Sequence, residues 1–174
     1  MKKYKYLFCD FDGTLVDTLS GKTFPEGIWD MKVKFDVLDK IKELNPEYVF
    51  IVSNQGGIES GFINENHFAD KCQYVCDIIK EYCKIENVWF TYCATNDKTA
   101  QDRKPNTAML EYMLEMHSDN GYWFNTNTDL KNEILMIGDA SGKEGQFSDS
   151  DKKCAENFGI DYLDVNDFLN YGNI

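Results

Sequence analysis

Short apolar runs alternate along the chain with longer segments in which apolar residues recur every three or four positions. An apolar run that ends in polar residues is typical of a strand buried on both faces of a sheet. Four runs of this kind are present, and each predicts one strand: KYLFCDF (5–11), YVFIVSN (48–54), VWFTYC (88–93) and EILMIGD (133–139).

The segments between these runs predict helices, because apolar residues three and four positions apart share one helix face. They are FDVLDKIKEL (35–44), ENHFADKCQYVCDIIKEYCK (65–84) and NTAMLEYMLEMH (106–117). A last unit, SDSDKKCAENFGIDYLDVNDFLNY (148–171), predicts a helix, a short strand and a helix. This alternation predicts an α/β fold in which a parallel sheet carries helices on both sides.

Polar side chains follow the predicted strands, where ligands bind in parallel α/β sheets. Two cations also precede the third helix, whose first residues are expected to include Pro105, a residue favoured at helix starts. These side chains are expected to converge at one edge of the sheet: Asp10 and Asp12 at the end of the first strand, Ser53 and Asn54 at the end of the second, Arg103 and Lys104 before the helix, and Asp139 at the end of the fourth strand.

The first pair of carboxylates suggests a chemistry. Asp10 and Asp12 face the same way, because alternate strand residues share a side, and each raises the other's proton affinity unless a cation intervenes. A divalent cation that prefers oxygen ligands, such as Mg²⁺, would keep Asp10 ionised and able to attack phosphorus. Asp12 would then protonate the leaving oxygen and later take a proton from water.

The remaining polar residues fit the same reaction. Ser53, neighbouring backbone N–H groups and the Lys104 ammonium would donate hydrogen bonds to the phosphoryl oxygens. Asp139 would complete the oxygen shell of the metal. The sequence therefore predicts a Mg²⁺-dependent phosphoryl-transfer site.

Composition limits where such an enzyme acts and on what. With 174 residues, 43% hydrophobic and 28% charged, the chain is expected to form one domain over residues 1–174. It contains no apolar stretch long enough to span a membrane and no signal-peptide core, so we expect a cytosolic protein, or a nuclear one in a eukaryote, with no membrane partner. The net charge of −12 repels polyanions at long range. We therefore expect a local basic patch at the mouth of the site, formed by Lys98, Arg103, Lys104 and Lys143.

The six cysteines are expected to be reduced thiols. Cys72, Cys76 and Cys83 fall at helical spacing, where small apolar residues pack toward a core. A zinc site is the alternative, and His67 and Cys93 are the nearby residues that could complete it.

Four motifs carry a family resemblance. DFDGT (10–14), VSNQGG (52–57), RKP (103–105) and IGD (137–139) resemble, in order, the motifs of the haloacid dehalogenase (HAD) phosphatase superfamily. The resemblance implies a three-layer, Rossmann-like fold with a central parallel sheet and a minimal cap or none. It also implies functional roles for residues at the motif positions: Asp10 as nucleophile, Asp12 as general acid/base, Ser53 and Lys104 as phosphate binders, Asp10, Asp12 and Asp139 as metal ligands, and Gly13, Thr14, Asn54 and Arg103 as substrate contacts.

The last motif of the family usually has a second acid, ahead of a helix of the form D-x-x-x-A-x-x-x-G. Asp151 fits this pattern, since DKKCAENFG places Ala155 and Gly159 at those intervals. Asp149 is the competing residue for this metal-ligand position.

Within the superfamily, the chain is most similar to the polynucleotide 3′-phosphatase branch. The similarity lies in TLSGKTFPEGIWDMKVK (18–34), SNQGGI (53–58), CATNDKTAQDRKPNTAML (93–110), GDASG (138–142) and FSDSDKKCAENFGI (147–160). It implies removal of 3′-phosphates from DNA ends, which leaves hydroxyls for a polymerase or ligase. No segment matches the kinase motif G-x-x-x-x-G-K-[ST], so a kinase or ligase would be a separate partner.

Other functions remain open at this point. Histidinol-phosphate and heptose-bisphosphate phosphatases share these motifs, but they usually carry a zinc loop of Cys and His ahead of RKP, where this chain has Cys93 alone. A non-catalytic phosphate-binding protein on the same fold is a further alternative, and the presence of both Asp10 and Asp12 argues against it. A calcium loop is disfavoured because Leu15 and Gly21 stand where an EF-hand needs Gly and Glu.

We predict no large cap domain. Two loops could cover the site, at residues 14–34 and 118–133. In the second loop, Tyr122, Trp123 and Phe124 could stack on bases.

Overall fold

A central sheet of five parallel strands organises the computed structural model, which describes residues 2–119 and 128–172. Its strands are β1 (Tyr6–Cys9), β4 (Tyr48–Asn54), β5 (Asn87–Cys93), β6 (Ile134–Gly138) and β7 (Asp161–Asp164). Their order is β5-β4-β1-β6-β7, so β1 is the middle strand. All four runs that predicted strands lie in this sheet, as does the short strand of the last unit.

The strands in the middle of the sheet are more deeply buried than β5 at its edge. Every residue of β1 and β6 is buried, as predicted for strands covered on both faces. The same prediction is wrong for β5, whose residues are mostly half-buried. This strand lies at an edge of the sheet, where less of the protein covers its side chains.

The helices cover both faces of the sheet and produce three layers. Their bounds are α1 (Phe35–Leu44), α2 (Glu65–Ile78), α3 (Ala108–His117), α4 (Thr128–Lys131), α5 (Ser150–Phe158) and α6 (Val165–Leu169). One face, with Leu7 and Ile51, packs against α1, α2 and α6, and the other, with Phe8 and Phe50, packs against α3 and α5. Alternate strand residues thus enter opposite cores, which confirms the predicted α/β class.

Two helices differ from their predicted extents. The helix predicted over 65–84 is α-helical only to Ile78, and a π-helical turn over Ile79–Cys83 follows it. The third helix begins at Ala108, so Pro105 lies before it and not in its first turn. The reason is local: turns occupy residues 101–107, and the side chain of Asn54 holds the backbone of Lys104.

The 14–34 segment, predicted as a loop, contains two short strands. They are β2 (Val16–Thr18) and β3 (Met31–Val33), which pair antiparallel, and a 3₁₀ turn over Ile28–Asp30 precedes β3. Strands of three residues are too short to show a period of two in the sequence. In the second predicted loop, α4 occupies four residues, and Tyr122, Trp123 and Phe124 lie outside the described residues.

The cysteine prediction is confirmed. All six thiols are free and buried. Within residues 2–119 and 128–172, the one group of three or more acidic, cysteine or histidine side chains close enough to share a metal ion consists of aspartates, which disfavours the zinc alternative. No helix in the described part of the chain is both long and apolar enough to cross a membrane.

Candidate active site

The Lys104 side chain lies at the centre of the predicted site. Its Nζ is 2.6 Å from Asp10 Oδ1 and 2.7 Å from Asp151 Oδ1, and it donates to the Val52 carbonyl at 2.8 Å. Only 1% of this side chain is exposed. Burial alone would lower the pKa of Lys104, but the two carboxylates raise it overall. The ammonium therefore stays charged and links segments that are distant in the sequence.

Asn54, at the end of β4, fixes the backbone beneath this lysine. Its Oδ1 accepts from Lys104 N–H and its Nδ2 donates to the Lys104 carbonyl, both at 2.9 Å. The neighbouring Arg103 donates from Nη1 to the Thr95 carbonyl at 2.8 Å. Two residues predicted as substrate contacts thus hold backbone in this structure, and their contact with substrate stays a prediction.

Three carboxylates form a compact acidic cluster beside Lys104. Asp10, Asp139 and Asp151 each place an oxygen within 4.8 Å of the others. Asp151 is buried and accepts from Ala140 N–H at 3.1 Å, whereas Asp149 is half-exposed and pairs with Lys153 at 2.6 Å. The geometry therefore favours Asp151 over Asp149 as the second acid of the last motif.

Two glycines make room for this cluster. A Cβ at Gly13, where φ is +77°, would lie 2.2 Å from Asp139 Oδ2. A Cβ at Gly138 would lie 2.3 Å from Asp151 Oδ2. Any side chain at either position would displace a carboxylate, so both positions require glycine.

The charges in the cluster fit a divalent cation. Burial raises the pKa of Asp10 well above its usual range, Lys104 opposes this effect, and Asp151 and Asp139 add to it. Burial and the charge of Asp151 raise the pKa of Asp139 to about 6. One ammonium leaves the three carboxylates under-compensated, and carboxylate oxygens are the ligands that Mg²⁺ prefers. Asp10, Asp139 and Asp151 are therefore suited to hold this ion.

Asp12 has different neighbours from the other three aspartates. Its Oδ2 accepts from Gln55 Nε2 at 2.6 Å, and the same nitrogen lies 2.9 Å from Ser53 Oγ. Its Oδ1 is buried and has no hydrogen-bond partner among the described residues. The Asp12 carboxylate is not part of the acidic cluster, although the resemblance implied a metal ligand here.

The surroundings of Asp12 favour a proton-carrying role. Burial raises its pKa, while the charge of Lys71 and the Gln55 hydrogen bond act in the opposite direction. Gln55 and Lys71 were not among the residues that the sequence predicted for the site. Gln55 had a signal, since it directly follows Ser53 and Asn54 in the SNQ motif.

Thr14 and Gly13 lie against the nucleophile predicted at Asp10. The buried Thr14 hydroxyl points toward Asp10 Oδ2 at 3.4 Å. Gly13 N–H donates to the Val16 carbonyl at 2.8 Å, and its own carbonyl accepts from Lys34 Nζ at 2.9 Å. Both residues shape the turn that follows β1.

Two of the four residues predicted to form a basic patch are paired with acids. Lys104 is buried between two carboxylates, and Lys143 is paired with Asp164 at 3.4 Å and Asp167 at 2.8 Å. Arg103 donates to a backbone carbonyl, which does not neutralise its charge, and Lys98 is exposed. The prediction overlooked the acids that neutralise Lys104 and Lys143, and a basic patch formed by Lys98 and Arg103 stays a prediction.

The sequence of this chain matches a known protein family over most of its length. The model of the family described as "Polynucleotide kinase 3 phosphatase" matches residues 5–169. The chain belongs to this family. The match confirms the resemblance to the polynucleotide 3′-phosphatase branch of the HAD phosphatases.

Two curated proteins are similar to this member of the polynucleotide kinase 3 phosphatase family. The "Bifunctional polynucleotide phosphatase/kinase" of Schizosaccharomyces pombe is 30% identical over 165 residues, which are 92% of this chain. The chain spans only 36% of the length of that protein. The "Probable D-glycero-D-manno-heptose-1,7-bisphosphate 7-phosphatase" of Thermoplasma volcanium is 25% identical over 145 residues, which are 83% of this chain and 91% of that protein.

Solved structures share the fold of this family member. A D,D-heptose 1,7-bisphosphate phosphatase from B. bronchiseptica, complexed with magnesium and phosphate, superposes with a TM-score of 0.64 at 16% identity, over 91% of this chain and 78% of that one. A putative HAD-like phosphatase from Mesorhizobium loti gives 0.64 at 19% identity, over 97% and 86%. The fold is therefore that of the HAD-like phosphatases.

Proposed function

We propose that this chain removes 3′-phosphates from polynucleotide ends by way of an aspartyl-phosphate on Asp10. The observation that carries the proposal is the match of residues 5–169 to the polynucleotide kinase 3 phosphatase family. That match spans the acidic cluster and also the 18–34 segment, which phosphoryl transfer itself does not require. The product would be a 3′-hydroxyl end, which is the class of substrate that a separate polymerase or ligase consumes.

We assign each step of the proposed reaction to a residue of the site. In the first step, the Asp10 carboxylate attacks phosphorus while the bond to the 3′ oxygen breaks, and that oxygen takes the proton of Asp12. In the second, water attacks the phosphorus of the aspartyl-phosphate and gives a proton to Asp12. Inorganic phosphate leaves, and both aspartates return to their starting states.

The other residues supply charge and hydrogen bonds. Ser53 and Lys104 would donate to phosphoryl oxygens, where negative charge accumulates in the transition state. Mg²⁺ held by Asp10, Asp139 and Asp151 would offset the repulsion between these carboxylates and the incoming phosphate. Gln55 would keep Asp12 and Ser53 in one orientation, because its side chain contacts both.

A second candidate function is hydrolysis of a small sugar bisphosphate. The observation that favours it is the relative from Thermoplasma volcanium, of which this chain covers 91%. The ion pairs of Lys104 and Lys143 also favour it, because a long polyanion gains little from cations that are already neutralised.

The deciding experiment measures phosphate release with Mg²⁺ from four substrates: a 3′-phosphorylated oligonucleotide, a heptose bisphosphate, histidinol phosphate and an aryl phosphate. We expect the highest kcat/KM with the oligonucleotide. A preference for either metabolite would reject the proposed substrate and keep the mechanism.

Two variants test the mechanism itself. Asp10→Asn is the blank, and Asp12→Asn is expected to lose about 10²- to 10⁴-fold in kcat while it still binds inorganic phosphate. Asp17→Asn, an exposed carboxylate on β2, is the matched control and keeps full turnover. Unchanged turnover in Asp12→Asn would sink the acid/base assignment. Binding of inorganic phosphate without any turnover in the wild type would instead indicate a protein that only binds phosphate.

A further inference from the structure

A stretch of chain beside the site exposes apolar side chains. In residues 19–29, here called the 19–29 segment, four large apolar residues are more than a third exposed: Leu19, Phe24, Ile28 and Trp29. The most exposed of the four is Trp29, at 66%. Groups of exposed apolar residues are typical of surfaces that bind a ligand or another macromolecule. The segment leaves the active site directly, through the turn at Gly13 and the short strand β2.

A buried carboxylate organises this segment from within. Asp30 accepts from the backbone N–H and the hydroxyl of Ser20 at 2.8 and 2.9 Å, and from Glu26 N–H at 3.3 Å. Leu19 N–H also donates to the Asp30 carbonyl at 2.8 Å. These bonds close the segment into a fixed shape, so its apolar side chains project from an ordered backbone.

A buried ammonium holds the segment from the other side. Lys71, on α2, is only 1% exposed, and its Nζ donates to the Pro25 carbonyl at 2.5 Å. The Nζ lies 5.4 Å from the centre of the Phe68 ring and 6.0 Å from that of Phe11, the residue between the two catalytic aspartates. Its charge is attracted by Asp12 and Asp30. Lys71 therefore lies between the proposed acid/base and the segment.

A buried, charged lysine in this position costs folding free energy, so we expect it to have a structural or functional role. Burial opposes its charge, and an apolar side chain of similar length would fill the same space between Phe11 and Phe68 without that penalty. Phosphoryl transfer does not explain the lysine, because Lys104 is the residue proposed to bind the phosphate. Its contacts indicate that Lys71 holds Pro25, and with it the 19–29 segment, at a fixed distance from Asp12.

We propose that Lys71 is a positioning residue that fixes the 19–29 segment beside the acid/base, and that this segment selects polymeric 3′-phosphates over small phosphate esters. The inference rests on the proposed function for its substrate class. Because Lys71 links the Pro25 backbone to the neighbourhood of Asp12, the nucleoside that carries the phosphate is the part of the substrate that this segment would contact. A small ester lacks that part and gains nothing from an ordered segment.

The first test measures the ordering of the segment without any substrate. Amide hydrogen exchange is followed in the wild type, in Lys71→Met and in Lys80→Met, which removes the same charge further along the same helical segment. In Lys71→Met, exchange in the peptide that contains Leu19, Ser20 and Glu26 is expected to rise about tenfold, with β1 and β4 unchanged. Lys80→Met should match the wild type. Equal protection of the segment in all three proteins would overturn the positioning role.

The second test measures kcat and KM on the 3′-phosphorylated oligonucleotide and on an aryl phosphate. Lys71→Met is expected to lose about tenfold in kcat/KM on the oligonucleotide, mainly through KM, and less than twofold on the aryl phosphate. Lys71→Arg, which keeps a charge and N–H donors, should recover most of the loss. Asp30→Asn, which weakens the segment from its own side, should give the same split if Lys71→Met does not fold.

The outcomes separate this inference from the proposed function. A wild type that prefers a small ester would reject the function, while the exchange experiment would still decide what Lys71 positions. Equal losses on both substrates in Lys71→Met would mean that the lysine acts on the reacting atoms through Asp12, and would overturn its assignment to substrate selection.

Discussion

Gln55 Nε2 donates to Asp12 Oδ2 at 2.6 Å, so a single side chain joins the end of β4 to the turn after β1. The same nitrogen lies 2.9 Å from Ser53 Oγ. The proposed acid/base and a proposed phosphate donor therefore share one partner, and the orientation of each depends on it.

Gln55→Leu removes this partner and keeps a side chain of similar size. We expect kcat/KM to fall by about tenfold or more, because Asp12 loses the hydrogen bond to its Oδ2 and turns away from the leaving oxygen. Steady-state kinetics on the preferred substrate measures the loss. Thermal unfolding serves as the control, and wild-type kinetics in a folded variant would show that Gln55 positions nothing.

Gly13→Ala is expected to damage the acidic cluster. The new Cβ would lie 2.2 Å from Asp139 Oδ2, so that carboxylate must move out of the cluster. Gly61→Ala is the matched control, because Gly61 has a similar φ of +73° with nothing within 4 Å of the new atom. Both variants bear the backbone strain, and only Gly13→Ala should lose Mg²⁺-dependent activity. Similar losses of activity in the two variants would mean that backbone strain at a positive φ, and not displacement of the Asp139 carboxylate, causes the loss.

Mg²⁺ is expected to stabilise the folded protein, since the acidic cluster exists only when the chain is folded. At about a hundredfold excess over Kd the gain is about 3 kcal/mol, or roughly 6–12 °C in Tm for a chain of this size. A chelator should reverse the shift, and Asp139→Asn should abolish it. Asp149→Asn, which changes a half-exposed carboxylate paired with Lys153, serves as control and keeps the shift. A full shift in Asp139→Asn would remove this residue from the metal site.

Asp164 is expected to make stability depend on acidic pH. Burial opposes its charge, but hydrogen bonds from Ser141, Gln146 and Asn166 lower its pKa to about 2. Its folded pKa is below the unfolded value, so its contribution of about 2 kcal/mol is complete above pH 4 and is lost as pH falls toward 2. Asp164→Asn should therefore be less stable at pH 7, and the difference should shrink below pH 4 in denaturant titrations. A gap that is constant from pH 7 to pH 2 would contradict this origin.

Strong periodicity is why the sheet and its helices were predictable. The apolar run at 48–54 and the helical pattern at 35–44 coincide with β4 and α1 residue for residue. Because parallel strands end at one edge, their order also explains why Asp10, Lys104 and Asp139 lie together. The pairing of β2 with β3 escaped prediction because each strand has three residues and no period to detect.

Buried charges are the part of the site that patterns do not reveal. Lys71 sits in a helical segment where a lysine usually indicates the solvent face, and only the fold shows that it points inward. The ion pairs of Lys143 were hidden for a related reason, because its partner Asp167 is distant in the sequence. Such contacts depend on three-dimensional packing and leave no local period.

Because β1 is the middle strand of the sheet, the region around Asp10 is expected to resist unfolding more strongly than the 19–29 segment. Asp10 follows a strand with hydrogen-bonded neighbours on both sides, whereas the 19–29 segment is joined to the protein by two three-residue strands and the contacts of Lys71 and Asp30. Mild heat or denaturant should therefore release the segment long before it disturbs the proposed nucleophile. Under the function and selectivity proposed above, a gently stressed enzyme would still hydrolyse phosphate esters, but it would have lost its discrimination among them.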